Sequence, residues 1–310
     1  MKKYRYVLAG IIALSIIATA IEPSFLSAAN LINVLRQSSV LLLLCLGLTG
    51  VVLTGNIDLS VGSVAALTGC VCAKLMISGH PIPLSVLCSL SIGILAGAFN
   101  GFLVGVLELP SFVSTYGVNM VASGLALIVM KGGIIYDLPP AFTVLGIGYL
   151  GRIPVPIILS MILFLFLFLL WNHTTFGRNV YMIGKNKAAA VYSGVDHLSI
   201  LFRSFILSGL TASIGGIVMT ARLNAADAGM CDAYGLQIVA AVVVGGTSLL
   251  GGEGGVAGTV LGAIILTIIT NIMNMTGVAS AWQNFVLGII IILLVFVNRW
   301  SSDRKNRNAG

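Results

Sequence analysis

The sequence predicts an all-α fold, a polytopic transmembrane helical bundle of about ten helices in a single domain over residues 1–310. Three observations predict it. First, 58% of the residues are hydrophobic and only 8% are charged, whereas a soluble domain carries about 25% charge. Second, apolar runs last long enough to cross a bilayer, which takes about 20 residues per helix; residues 157–170 hold almost nothing suited to water. Third, the basic residues are clustered. Lys2, Lys3 and Arg5 start the chain, Arg178, Lys185, Lys187 and Arg203 lie in or beside one central polar loop, and Arg299, Arg304, Lys305 and Arg307 end it. Lys and Arg collect on the cytoplasmic side of a membrane, so all three clusters are expected inside. That placement explains the net charge of +7 without nucleic acid as a partner.

In chain order, the expected membrane segments are 7–21, 38–54, 59–78, 82–107, 111–130, 153–171, 201–220, 236–250, 256–276 and 280–297. An even count puts both termini on one side, and this count also puts 172–200 there. The charge rule independently asks for the same arrangement. The N-terminus has the basic and apolar pattern of a signal peptide, ending in Ala18-Thr19-Ala20. It is read as a retained first span, because cleavage would remove the anchor that balances the basic C-terminus. Residues 30–37 read as a short helix at the membrane surface. Pro81, Pro83, Pro110, Pro139, Pro140, Pro154 and Pro156 fall at or between segments, where proline punctuates helices. The stretch 131–152 reads as an extracytoplasmic loop. The 37 glycines suit helices that approach closely in lipid.

Two stretches interrupt the apolar pattern: Gly55-Asn56-Ile57-Asp58-Leu59-Ser60-Val61-Gly62-Ser63, and the Gly-rich run from Gly245-Gly246-Thr247-Ser248 to Gly254-Gly255. Each follows a similar lead-in, Val51-Val52-Leu53 and Val242-Val243-Val244. Two related halves with broken helices are expected, and such breaks point to a transport pathway. The span count puts both breaks toward the same side, whereas an inverted repeat would oppose them. Cys45, Cys70, Cys72, Cys88 and Cys231 include no C-x-x-C pair, and four of them fall in apolar runs. Buried small hydrophobes are the expected reading, rather than disulfides or metal ligands.

The residues resemble a family. Asn56-Ile57-Asp58-Leu59-Ser60-Val61-Gly62-Ser63 is similar to the G-I-D-L-S-V-G-S signature of ribose-type ABC importer permeases. The run from Ala240 to Leu249, followed by Gly251-Gly252, Gly258-Thr259 and Gly262-Ala263, resembles that family's second signature. Phe176-Gly177-Arg178, Gly184, Asn186, Ala188-Ala189 and Ser193-Gly194 resemble its cytoplasmic loop, and Leu109-Pro110-Ser111-Phe112 with Thr115 matches another short element. The resemblance covers about residues 25–297, with four motifs in order. It implies a type II-like permease that takes a monosaccharide or sugar-like solute across the bacterial cytoplasmic membrane by alternating access. It also implies two permease copies, identical or paralogous, two ATP-binding subunits and an extracytoplasmic solute-binding protein, with membrane lipid around them. The implied substrate pathway is Asn56, Asp58, Ser60, Ser63, Phe112, Thr115, Asn119, Gly245, Gly246, Thr247 and Ser248. The implied ATPase coupling surface is Gly177, Arg178, Gly184, Asn186, Ala188, Ala189, Ser193 and Gly194. The sequence has no G-x-x-x-x-G-K-[ST] phosphate loop, so ATP hydrolysis is expected from a partner and no cofactor is expected here.

Each feature also has a plainer reading. Asp58 at membrane depth is a functional candidate, and equally a cap for the helix that follows. The glycines at 245–255 have no Lys or Arg nearby and fit close packing and a flexible break better than phosphate binding. The loop 172–200 sets orientation; residues 187–192, with Ala188-Ala189-Ala190, are also expected to form a short helix that docks in the ATPase. His173 and His197 have no metal-like partners. This chain departs from the family at Ser123, where Arg is usual, at Gly235 and Gln237, where Glu and Asp are usual, and at Lys185 and Lys187, commonly Gly and Glu. Both signs of charge are missing together, so Ser123 is expected near Gly235 or Gln237. A nucleoside-type ABC permease is the alternative within the family. An ion-coupled transporter is the rival mechanism, but Asp58 and Glu108 are the only acidic candidates in the apolar region, with Glu253 in a loop. An intramembrane enzyme lacks a Ser-His-Asp set and a His-Glu-x-x-His helix.

Overall fold

The computed structural model describes residues 5–279 and, beyond them, 281–283, 285–290 and 292. The expected basic anchors at 2–3 and 299–307, and most of the tenth segment beyond 290, lie outside the described residues. The chain is an all-α membrane bundle. Its helices are α1 (Arg5–Ile21), α2 (Ala28–Leu53), α3 (Val61–Ile77), α4 (Ile82–Gly101, extended by a wide turn over Phe102–Val106), α5 (Ser111–Met130), α6 (Pro140–Ile147), α7 (Val155–His173), α8 (Thr175–Lys185), α9 (Lys187–Tyr192), α10 (His197–Leu223), α11 (Gly235–Val244) and α12 (Val256–Met275). Six are long and apolar enough to cross a membrane: α2, α4 with its wide turn, α5, α7, α10 and α12. Shorter apolar helices occupy the other four expected places, at Val7–Ile21, Val61–Ile77, Gly235–Val244 and 281–290.

Position in the bundle follows from the pattern of side chains. Residues 38–53 of α2 are buried without interruption, and a helix that is apolar all round belongs in the interior. It packs with α3 and α10 at the centre. On α4 the buried residues are Ser85, Ser89, Gly93, Gly97, Asn100 and Gly101, while Leu87, Leu95 and Phe99 are exposed. The small and polar stripe faces protein and the large apolar stripe faces lipid, the arrangement by which membrane helices pack closely. The α4–α10 crossing depends on it: a Cβ at Gly97 would strike the carbonyl of Phe205, and one at Gly209 the carbonyl of Gly93.

Three expectations are corrected. Residues 30–37 are not a separate surface helix but the first turns of α2. Ser27 starts the helix by accepting the amide of Asn30 at 3.3 Å, and no Gly or Pro follows before the apolar stretch to stop it. The stretch 131–152 is more than a loop. Pro139-Pro140 opens α6, because proline suits the first helical turn, and α6 buries Phe142 completely. Two small antiparallel pairings hold the rest: β1 (Ile135–Tyr136) with β4 (Ala225–Ala226), and β2 (Tyr149–Leu150) with β3 (Ile153–Pro154). Asn224, in the left-handed region at φ 49°, ends α10 and accepts the amide of Leu138 at 3.0 Å. Finally, the segment expected at 236–250 stops being helical at Val244, where the glycine run begins. Among the cysteines, Cys45, Cys70, Cys72 and Cys231 are buried and Cys88 is half-buried.

Candidate functional site

The first break leaves α2 at Thr54, turns at Gly55 with φ 81° and runs as an extended strap to Ser60. Alternation along an extended chain sends successive groups to opposite sides. On one side the strap is held by α5: the amide of Ile57 donates to Ser111 Oγ at 3.2 Å, and the amide of Leu59 donates to Thr115 Oγ1 at 3.1 Å. Ser111 and Thr115 are four residues apart, one helical turn, so one face of α5 supplies both acceptors. On the other side Asp58, 2% exposed, faces α4 and α10. Its Oδ1 accepts the amide of Ser60 at 2.9 Å and the hydroxyl of Ser60 at 2.6 Å, and its Oδ2 accepts the hydroxyl of Ser208 at 2.7 Å. Asn100 donates to Ser60 Oγ at 2.8 Å and reaches Asp58 Oδ1 at 3.4 Å. Asp58 therefore bonds the amide of Ser60, the residue before α3, rather than a free amide within that helix, and in addition ties the strap to two other helices.

A cavity opens at each end of this strap. One, of about 490 Å³, lies between α3, α5 and the α10–α11 connection, and its wall includes Leu59, Ser63, Asn119, Ser123, Asp232 and Gly235. The other, of about 480 Å³, lies at the end of the bundle that carries α8 and α9, and its wall includes Asn56, Glu108, Ser111, Phe112 and Lys187. Ser63 and Asn119 thus share the first cavity, Asn56 and Phe112 share the second, and Thr115 and Ser60 stand between them. Gly245, Gly246, Thr247 and Ser248 border neither cavity; they belong to the second break, where the Thr247 hydroxyl accepts the amide of Gly255 at 3.3 Å. Ser123 and Gly235 border the same cavity. Gln237 does not, being two residues along α11 from Gly235 and so on the far side of that helix. Partial burial pushes the Asp232 carboxyl above its ordinary range, and the neighbouring charge of Asp227 adds to the effect.

The two breaks meet. The amide of Gly252 donates to the carbonyl of Leu53 at 2.9 Å, directly joining the second break to the end of α2. Gly184, in the last turn of α8, is wedged against both: a Cβ there would collide with the Leu53 carbonyl and the Gly252 amide. Tyr181 on α8 also donates to the carbonyl of Gly254 at 3.2 Å. The breaks thus lie at one end of the bundle, as the span count indicates, and not at opposite ends. Gly177 is buried where α8 turns away from α7, and its amide donates to Thr174 Oγ1 at 3.2 Å. Asn186 caps α9 by accepting the amide of Ala189 at 3.0 Å. Helix α9 covers residues 187–192, the expected range, and it buries Ala190 while Ala188, Ala189, Val191, Ser193, Gly194 and Tyr192 stand exposed, Tyr192 to 92%. Arg178 is exposed as well. Lys187 lies 3.8 Å from Glu108, and both are well exposed.

Sequence reasoning passed over Asn100, Ser208 and Asp232, and named Ser111 only within a motif. Asn100 carried a signal, a lone amide within a small-residue stripe at four-residue spacing. Ser208 carried none, because α10 holds many serines whose hydroxyls return to their own helix, such as Ser204 and Ser213.

Comparison with known proteins agrees with this architecture. Residues 30–295 match the family described as branched-chain amino acid transport system / permease component. The ribose import permease protein of Bacillus subtilis is 37% identical over 295 residues, covering 94% of this chain and 92% of that protein. The ribose import permease protein of Escherichia coli K12 is 35% identical over 94% of this chain and 92% of its own length. The D-allose transport system permease protein of the same strain is 36% identical over 89% and 85%. No solved structure matches the chain. A multi-helix membrane bundle matched along nearly all its length in this way belongs to the branched-chain amino acid transport system / permease component family, on the branch that includes the ribose and allose permeases.

Proposed function

We propose that this chain is the membrane-spanning subunit of an ATP-driven importer for a monosaccharide or closely related neutral polyol, and that the solute passes along α5 by alternating access. The observation that carries the proposal is the pair of cavities separated by the strap at residues 57–59. One cavity receives the solute, the other releases it, and the strap held by Ser111 and Thr115 is the barrier between them. Asn56, Ser63, Phe112, Thr115 and Asn119 lie along this route. Asp58 and Ser60 set the strap's position from behind, and Gly245, Gly246, Thr247 and Ser248 shape the second break. The wall of the first cavity carries Ser63, Tyr116, Asn119, Ser123 and Asp232 and no Lys or Arg among its described residues. Hydroxyls, an amide and a carboxylate suit the hydroxyls of a neutral sugar and disfavour an anionic one. The names of the relatives, ribose, allose and xylose permeases, support the same solute class.

The exposed face of α9, with Gly177, Arg178, Gly184, Asn186, Ala188, Ala189, Ser193 and Gly194 around it, is the surface for the ATP-binding subunit. In this reading both termini and residues 172–200 face the cytoplasm. The opposite end, with α6, meets the solute-binding protein, and a second permease copy completes the assembly. The test is uptake in vesicles that contain the permease, its ATP-binding subunit and the binding protein, with ion gradients collapsed by ionophores. Uptake of ribose, allose or xylose that needs ATP and survives collapse supports the proposal. Uptake that stops on collapse and ignores ATP rejects it in favour of ion coupling.

A further inference from the structure

A third opening lies apart from both cavities of the route. It is a groove of about 310 Å³ between α2, α7 and α12, with Leu35, Ile157, Phe164 and Val260 among its walls. Three serines also line it, yet their hydroxyls are committed to their own helices. Ser38 and Ser39 donate to the carbonyl of Leu35 at 3.1 and 2.7 Å, and Ser160 donates to the carbonyl of Ile157 at 2.9 Å. A sugar hydroxyl would find little to bind there, so the groove is apolar in effect. Its walls are long apolar helix faces, which suit a single hydrocarbon chain laid along them.

The mouth of the groove adds charge. Leu35 and Ile157 mark its end nearest the β2–β3 hairpin, which leads straight into α7. Arg36, next to Leu35, stacks on the ring of Tyr149 in that hairpin, 4.6 Å from its centre. The Arg36 Nε is buried and has no hydrogen-bond partner, and a buried donor without an acceptor is costly. Arg152 in the hairpin turn is exposed. Residues 35–42, 149–164 and 257–264 contain no Asp or Glu. Arg36, with its buried unpaired donor, is thus the chain neighbour of groove-lining Leu35, and Arg152 lies in the hairpin that leads to groove-lining Ile157.

We propose that this groove binds an anionic phospholipid of the surrounding bilayer, with an acyl chain along α2, α7 and α12 and the headgroup phosphate on Arg36 and Arg152. A phosphate oxygen supplies the acceptor that Arg36 lacks, and the chain covers the apolar walls. The site does not depend on which solute is transported.

The test is native mass spectrometry of the purified full chain, extracted from vesicles of phosphatidylcholine and phosphatidylglycerol in equal amounts. The wild type is expected to retain phosphatidylglycerol preferentially. A basic residue near a membrane surface favours anionic lipid about fivefold, so Arg36→Gln and Arg152→Gln together should lower that preference about thirtyfold while neutral lipid is still retained. Val260→Phe, which fills the groove, should displace both lipids. Arg152→Gln alone, on an exposed turn, keeps the charge test available should Arg36→Gln fold poorly. Equal retention of the two lipids by the wild type, or an unchanged preference in Arg152→Gln and the double variant, overturns the proposal. Undiminished lipid retention in Val260→Phe overturns the placement in the groove.

Discussion

The contact of Gly184 with both breaks can be tested by a single methyl group. Alanine at 184 would place its Cβ against the carbonyl of Leu53 on one side and the amide of Gly252 on the other. Both obstacles are backbone, so neither can rotate away. Overpacking of this kind costs about 1–3 kcal/mol. If the two breaks part to make room, the 2.9 Å bond from Gly252 to Leu53 is lost as well, at about 0.5–1.5 kcal/mol. Against this, alanine in a helix is favoured over glycine by about 1 kcal/mol, and Gly184 lies within α8. The net is about 0.5–3.5 kcal/mol against the joined state of α8 and the breaks, or about 2- to 400-fold in that equilibrium. The chain should still insert, because no membrane helix is altered. In vesicles with its ATP-binding subunit and binding protein, Gly184→Ala should take up solute at least about twofold more slowly per ATP hydrolysed. Normal uptake and normal coupling in Gly184→Ala would falsify the idea that this contact transmits force.

Three further outcomes are expected. Ala189→Glu places a charge on the exposed face of α9; if that face is desolvated against the ATP-binding subunit, the penalty is several kcal/mol, and solute-stimulated ATP hydrolysis should be lost at unchanged levels of inserted chain, as quantitative blotting would verify. The folded state favours the protonated form of Asp232, so its contribution to stability is present below the ordinary carboxylate range and is lost as pH rises through the raised pKa. Asp232→Asn should therefore raise the melting temperature in detergent at about pH 8 but not at about pH 3, and an equal shift at both would remove the basis for this assignment. Ser123→Arg combined with Asp232→Asn puts an unpaired guanidinium in the first cavity, at about 2.5–3.5 kcal/mol on insertion scales; adding Gly235→Glu should restore the folded fraction seen by size exclusion, and adding Gln237→Asp should not, with equal rescue by the two arguing against a pair at 123 and 235.

The large features were legible because lipid imposes simple rules. Ten apolar segments could be counted since each backbone must satisfy itself within a helix, and α9 showed itself through Asn186 and the alanine run. The span count put both breaks toward one side against the expectation of an inverted repeat, and their contact came from the structure alone. Less legible were features set by non-local contact. Helix α6 hid because it is only eight residues long, amid Gly and Pro residues that read as a loop, and its burial depends on α10. The continuity of α2 across residues 30–37 hid because surface and spanning helices share the same local propensities. Asp58 was seen, but not its partners Asn100 and Ser208, which lie 42 and 150 residues away in sequence. The stripe of α4 marks Asn100 as facing protein but does not name its partner, and no pattern within α10 singles out Ser208.

The strap offers a reason for the direction in which the barrier should give. In the proposed cycle, α8 moves with the ATP-binding subunit and acts on Leu53 and on the second break. Only a few residues separate Leu53 from the strap, so no long relay is needed, and a two-state element lies beside the point of contact. The strap has two seams. Toward α10 it is held by the Ser208 hydroxyl, which donates to the Asp58 carboxyl group at 2.7 Å, and toward α4 by Asn100, which donates to Ser60 Oγ at 2.8 Å and reaches Asp58 at 3.4 Å. Bonds to a carboxylate contribute about 1.5–3 kcal/mol each, whereas neutral ones contribute about 0.5–1.5. Toward α5 it is held by neutral and longer bonds: the amides of Leu59 and Ile57 donate to Thr115 and Ser111 at 3.1–3.2 Å, and the Thr115 hydroxyl, already engaged by the Ser111 carbonyl at 2.7 Å, reaches the Ile57 carbonyl at 3.3 Å. The α5 seam is the weaker, so α5 should part from the strap while Asp58 stays in place. Thr115→Val deletes the acceptor of the Leu59 amide and should loosen that seam, raising modification by a maleimide of a cysteine placed at Asn119 or Phe112. Asn100→Leu or Ser208→Ala should instead lower the amount of folded chain. If Thr115→Val leaves accessibility unchanged and Ser208→Ala raises it, the strap moves with α5 and the order of the two seams is reversed.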